Sequence, residues 1–132
     1  MIVNAEGQVM GRLSSEIASK LLDGEEIKIL NCEKAVISGR PDGIIESYLQ
    51  KRDIGGPEHG PYSSLRPEKI LRDSIKGMLP MKKKRGRDAL SRLDVVRGNQ
   101  DDEEGERLSK GKDDLKTNYI TLEELSERIG GR

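Results

Sequence analysis

The hydrophobic period changes twice within the first thirty residues, and this limits the fold more than any other feature. Met1 to Asn4 is a short apolar start that reads as a strand. Gly7 and Gly11 bracket a turn. Leu13, Ile17, Ala18, Leu21 and Leu22 then recur at helical spacing, which predicts a helix from Gly11 to Leu22 with one buried face. Asp23-Gly24 ends it, with glycine free to take the left-handed cap. Ile27 to Leu30 is a second, β-branched-rich strand. A strand–helix–strand passage of this length is a crossover between parallel strands. With 132 residues, 33% of them apolar and neither Phe nor Trp present, the chain builds one domain around a small core.

The rest of the chain extends this pattern. Ala35-Val36-Ile37 is a further apolar patch, closed by Ser38-Gly39. Pro41 suits the first turn of a helix, and Ile44, Ile45, Tyr48 and Leu49 carry its apolar stripe to about Lys51. Residues 53–67 hold six glycines and prolines and read as a long loop, a length usual for functional or disordered segments. Pro67 opens a third helix, with Ile70, Leu71, Ile75, Met78 and Leu79 as its apolar arc and Pro80 as its stop. Ala89, Leu90 and Leu93 suggest a short helix, and Val95-Val96 a strand. Asn99 to Glu106 is acidic, polar and expected to be mobile. Tyr119-Ile120 reads as extended. Thr121 and Glu124 form a capping box ahead of a last helix marked by Leu122, Leu125 and Ile129 and closed by Gly130-Gly131. The expected class is α/β: a single domain, three-layered, with a central, mainly parallel sheet and an acidic C-terminal extension. The expected boundary separates residues 1–98 from an acidic linker and helix over 99–132.

Several functions are excluded early. No apolar run approaches the roughly 18 residues of a membrane span, and no secretory signal is visible. The single Cys32 forms no internal disulfide, which fits a reducing cytosol. It reads as a small buried filler. With one Cys and one His, a four-ligand zinc site cannot be built. Three tyrosines do not make a stacking platform for unpaired bases.

The formal charge is zero, but its distribution is uneven. Residues 1–33 carry a net −3, residues 34–65 balance, residues 66–97 carry +7 and residues 98–132 carry −4. Salt screens charges beyond roughly 8 Å, so a polyanion responds to the local field and not to the total. Arg66 leads into a stripe of Lys69, Arg72 and Lys76. Then come Lys82, Lys83, Lys84, Arg85 and Arg87, interrupted only by Gly86, which lets a backbone approach closely. No carboxylate interrupts residues 74–87. A solvated face or a targeting signal is the plain alternative. A helix face continued by a cationic loop is also a phosphate-contacting surface. Without stacking rings or a zinc finger, its target is folded, largely double-stranded RNA read by shape and backbone. Lys51, Arg52, His59 and Tyr62, in and before the Gly/Pro-rich loop, either extend the candidate RNA surface or belong to an ordinary surface loop.

Two further readings compete. The Gly7–Ser14 turn has a strand before it and a helix after it, as a nucleotide-binding enzyme requires. A phosphate-binding loop, however, needs four residues between its glycines and then Lys and Ser or Thr. Here three residues intervene, and Arg12, Leu13 and Ser14 follow. Arg12 and Ser14 at a helix start remain able to hold one phosphate, or to serve turn and cap. His59 has no nucleophile or carboxylate partner at a telling spacing, so neither catalysis nor a cofactor nor a metal is expected. An RNA-binding regulator is the other reading.

The assembled motifs resemble the large-subunit ribosomal protein L13 family, in its archaeal and eukaryotic branch. Lys76-Gly77-Met78-Leu79-Pro80, a basic spacer, Gly86, and Leu93 to Gly98 carry the strongest match. Gly11-Arg12-Leu13-Ser14, the Asn-x-Glu and Ile-Ser-Gly elements within Asn31 to Gly39, Gly60-Pro61-Tyr62 and Arg66-Pro67 follow the family order. Asn4 stands where Asp is common, and an aromatic is usual near Val96. The resemblance implies a parallel α/β fold without catalytic activity. It implies a structural protein that binds large-subunit rRNA during assembly, beside neighbouring ribosomal proteins, in cytoplasmic ribosomes. It implies RNA-facing positions at Arg12, the loop from Arg52 to Tyr62, Arg66 and Lys82 to Arg87.

Overall fold

The structure is a computed structural model that describes residues 1–55, 66–100, 102–108 and 118–129, with backbone alone for 50–55. Strand β1 (Ile2–Asn4) leads through helix α1 (Met10–Leu22) into β2 (Ile27–Leu30). A 3-10 turn at Cys32–Lys34 precedes β3 (Val36–Ser38) and α2 (Pro41–Gly55). Helices α3 (Pro67–Lys76) and α4 (Lys84–Ser91) follow, then β4 (Leu93–Val95), β5 (Tyr119–Thr121) and α5 (Leu122–Arg128). Among the described residues the result is a small α/β fold with five helices. Helix α2 continues past residue 53, where a loop was expected, because its sequence meets no breaker before Gly55-Gly56-Pro57.

Strands β1, β2 and β4 form a parallel sheet with β2 at its centre. Ile2, Val3 and Asn4 pair with Lys28, Ile29 and Leu30, and Ile27 to Ile29 pair with Leu93 to Val95. This register puts Val3, Ile27, Ile29 and Leu93 on one face, all buried. It also explains why β4 begins at Leu93, two residues before the expected strand. A start at Val95 would leave Ile27 without its apolar partner. Leu13, Ile17 and Leu21 of α1, Ile70, Leu71 and Ile75 of α3, and Ala89 and Leu90 of α4 pack into the same core. The second face carries Lys28 and exposed Asp94. It opens on a cleft of about 430 Å³ whose lining includes Lys28, Leu30 and Val96.

The end of the sheet is tied by one short segment. Asn31 adopts a left-handed conformation (φ 56°). From there its Nδ2 donates to Asn4 Oδ1 at 3.0 Å, and its N–H donates to the Gly98 carbonyl at 3.0 Å. Glu33 Oε2 accepts from the Gly98 N–H at 2.8 Å. Asn4 Oδ1 also accepts from the Glu6 N–H at 3.0 Å. Position 4 therefore needs an acceptor oxygen, which either Asn or Asp supplies.

The C-terminal segment returns to this core. β5 pairs antiparallel with β3, Ile120 opposite Ile37. Leu122, Leu125 and Ile129 are buried with the rest, and Thr121 Oγ1 caps α5 by accepting from the Glu124 N–H. Within the span Asn99 to Glu106, the described residues make contacts with the sheet. Asn99 exchanges two hydrogen bonds with the Glu103 backbone, and Lys28 Nζ lies 3.2 Å from Glu103 Oε1. The Glu106 backbone bridges the outer edge of β1. A Cβ on Gly105 would meet Asn4 N at 2.7 Å, so only glycine allows this approach.

Cys32 is fully buried, as expected of a filler. Burial foremost, then the carboxylates of Glu33 and Glu68, push its thiol up from 9.0 to about 12. The unfolded chain thus loses this proton above pH 9 while the folded chain keeps it. Native Cys32 should resist a thiolate-seeking disulfide reagent at pH 8 and react only as denaturant unfolds the chain. Rapid native labelling would contradict the burial. The Cys32→Ala chain should also lose less stability than the parent between pH 9 and 12 in chemical denaturation. Asn4→Ala should cost about 1–2 kcal/mol by stranding the Asn31 donor, which appears as a melting midpoint several degrees lower. Asn4→Asp should melt like the parent.

Candidate nucleic-acid interface

Helix α3 ends at Lys76, and two tight turns carry the chain to α4. Met78 N–H donates to the Ile75 carbonyl and Leu79 N–H to the Lys76 carbonyl, while Leu79 is buried. Met78 therefore lies beyond the helix and is exposed, which corrects its expected place in the apolar arc of α3. Lys83 is the N-cap of α4, and its N–H donates to the Pro80 carbonyl at 3.0 Å.

The Gly86 reading is also corrected. Gly86 is buried, and a Cβ there would lie 2.1 Å from the Pro80 carbonyl oxygen. Its missing side chain lets α4 seat on the Pro80 backbone, so the close approach is internal. Arg87 Nη1 closes the same turn by donating to the Met81 carbonyl at 3.2 Å. Lys82, Lys83, Lys84 and Arg85 are exposed. Among the described residues, none of these four side chains has an ion pair.

The helix dipole makes this placement unusual. The N-terminal turn is the positive end, where carboxylates are favoured and cations are disfavoured by about 0.3–1 kcal/mol each. Helix α4 has no acidic residue in its first turn and no side-chain cap, and Lys84, Arg85 and Arg87 occupy its start. Intramolecular electrostatics thus oppose the arrangement, and an external anion would relieve it. Sequence reading found the cations but not this conflict. The signal was available in the Pro80 stop followed by renewed helical spacing at Ala89 and Leu90.

The stripe on α3 divides by partner. Lys69 Nζ lies 3.0 Å from Asp73 Oδ1, one turn away. Arg72 Nη1 donates to the Leu93 carbonyl at 3.4 Å and braces β4. Lys76 is exposed, and so is Arg66 at the N-cap of α3. Arg12 is exposed on the first turn of α1. Ser14, two residues on, is fully buried with its hydroxyl facing the core, so it neither caps α1 nor reaches a phosphate. Lys51 and Arg52 fall on the α2 backbone, with side chains outside the described residues. His59 and Tyr62 lie outside the described residues altogether.

No group of His, Cys, Asp and Glu suits a metal ion, and no helix is long and apolar enough to cross a membrane, among the described residues. Ala at position 86 should displace α4 from Pro80. Gly86→Ala is expected to lose about 1–3 kcal/mol in chemical denaturation, as overpacked sites do. Unchanged stability would show that the contact yields freely.

Comparison with known proteins gives a consistent result. Residues 1–102 match the family described as ribosomal protein L13. The chain is similar to large ribosomal subunit protein uL13 of Thermoplasma volcanium, 46% identical with 98% of each chain covered. It is similar to uL13 of Archaeoglobus fulgidus, 44% identical over 99% of this chain and 88% of the relative. For uL13 of Haloarcula marismortui the identity is 42%, over 98% and 90%.

Proposed function

The chain belongs to the ribosomal protein L13 family, and from that premise we propose that it binds folded large-subunit rRNA through the basic turn ahead of α4. It is a structural, non-enzymatic constituent of the large ribosomal subunit. In this reading it supports subunit assembly beside neighbouring ribosomal proteins, in cytoplasmic ribosomes. The observation that carries the proposal is the set of exposed cations Lys82, Lys83, Lys84 and Arg85. They lack ion pairs among the described residues and crowd the positive end of a helix. Phosphate oxygens satisfy both the side chains and the helix end.

Arg12, Arg66 and Lys76 are exposed and complete the surface, with Lys51, Arg52, His59 and Tyr62 as further contacts. Lys69 and Arg72 contribute through their residual field, since each already has an internal partner. Residues 1–98 act as the RNA-binding unit and residues 99–132 as an acidic extension whose last helix shares the core. The three-layer stack belongs to the same proposal, with a further layer against the second sheet face.

Replacing Lys82, Lys83, Lys84 and Arg85 with Ala should weaken binding to transcribed large-subunit rRNA. Each lost phosphate contact should lower the log–log salt slope by about 0.7–0.9. Equal affinity and equal slope in parent and variant would refute the assignment. In sucrose gradients the parent should sediment with the large subunit, and the variant should be depleted from it.

A further inference from the structure

The exposed Met78 is not explained by charge, by the core or by the proposed phosphate contacts. It is 45% exposed, while Leu79 beside it is buried and Met81 packs partly against the core. A thioether side chain held in water gains nothing from that position. A single exposed apolar residue is ordinary on a surface, so its setting must decide.

The setting has three parts. First, the turn bearing Met78 is held from both sides: by the Ile75 and Lys76 carbonyls, which accept from Met78 and Leu79, and by α4 seated on Pro80 through Gly86. The side chain is thus presented from a fixed backbone. Second, exposed cations flank it along the chain, Lys76 two residues before and Lys82 to Arg85 beginning four residues after. Chain length keeps Met78 and Lys82 within about 14 Å of each other. Third, residues 74–87 contain no carboxylate. A partner covering Met78 also covers this field, so it carries negative charge around an apolar contact.

We propose that Met78 makes a dry contact with ribose and base edges in the shallow minor groove of large-subunit rRNA, while the flanking cations hold the phosphates. A-form RNA offers a wide, shallow minor groove with accessible sugar and base edges, and methionine is among the apolar side chains used against bases. Its flexible, polarisable chain suits an irregular surface. The inference rests on the rRNA-binding reading and adds a non-ionic subsite to it.

The two are separable by salt. An apolar contact releases no counterions, so it contributes affinity without slope. In titrations of the full chain against transcribed large-subunit rRNA, Met78→Gln should bind about tenfold more weakly, equivalent to about 1.4 kcal/mol, with the parent's slope. Met78→Leu should bind like the parent. Both should melt like the parent, because residue 78 is exposed. If Met78→Gln binds with parental affinity, the subsite is overturned. The cationic reading then stands provided the Lys82/Lys83/Lys84/Arg85→Ala variant flattens the slope, and both fall if it does not. A photo-reactive methionine analogue at position 78 gives an independent readout in assembled subunits. Crosslinks to rRNA nucleotides support the subsite. Crosslinks to a neighbouring protein overturn it, as does capture of the free chain by anionic vesicles in preference to rRNA.

Discussion

The architecture depends on how three very short parallel strands are held together at one end. Strands of three or four residues form few ladder bonds, and parallel pairing is slightly weaker per residue than antiparallel. The Asn31 backbone turns left-handed directly after the central strand. One amide then reaches the end of β1, the Cys32 N–H reaches the Val96 carbonyl next to β4, and the Asn31 N–H and the Glu33 carboxylate hold Gly98 beyond it. This clamp fixes the register, and the register places Val3, Ile27, Ile29 and Leu93 on one face. Helices α1, α3 and α4 pack against that face. The Asn-x-Glu element thus has a structural meaning in this chain: its amide holds the end of β1 and its carboxylate holds the Gly98 turn that follows β4.

From that frame the basic surface is positioned by backbone contact and not by charge. Gly86 lets α4 seat on the Pro80 backbone, and Leu79 anchors the turn in the core. Cations that serve the fold are distinguishable from those that do not. Arg92 donates to the Leu21 carbonyl, Arg97 pairs with Glu68, Lys28 pairs with Glu103, and Arg72 braces β4. Lys82 to Arg85 have no such task. The Glu103 carboxylate pairs with Lys28 on the second sheet face, and Glu106 joins the outer edge of β1 through its backbone.

Much of this was legible in one dimension. Hydrophobic periodicity located α1, α3, β2 and the last helix, because one face of each is buried and its spacing records that. Pro41, Pro67 and the Thr121–Glu124 pair marked helix starts through local backbone chemistry. The +7 block marked the basic surface, since charge density is a property of composition. Family motifs from Gly11 to Gly98 pointed to the ribosomal assignment that the comparisons support.

What remained hidden depends on partners distant in sequence. Periodicity does not show that β5 pairs with β3, or that α5 closes the same core, because about eighty residues separate them. It does not tell which lysines find an internal carboxylate, or that Gly86 faces Pro80 instead of a ligand. Met78 and Ser14 illustrate the limit: local pattern puts Met78 in the apolar arc of α3 and makes Ser14 a cap or a phosphate ligand, whereas packing leaves the first exposed and buries the second. Local propensity and charge are written residue by residue, whereas the direction a side chain faces is decided only when the elements dock.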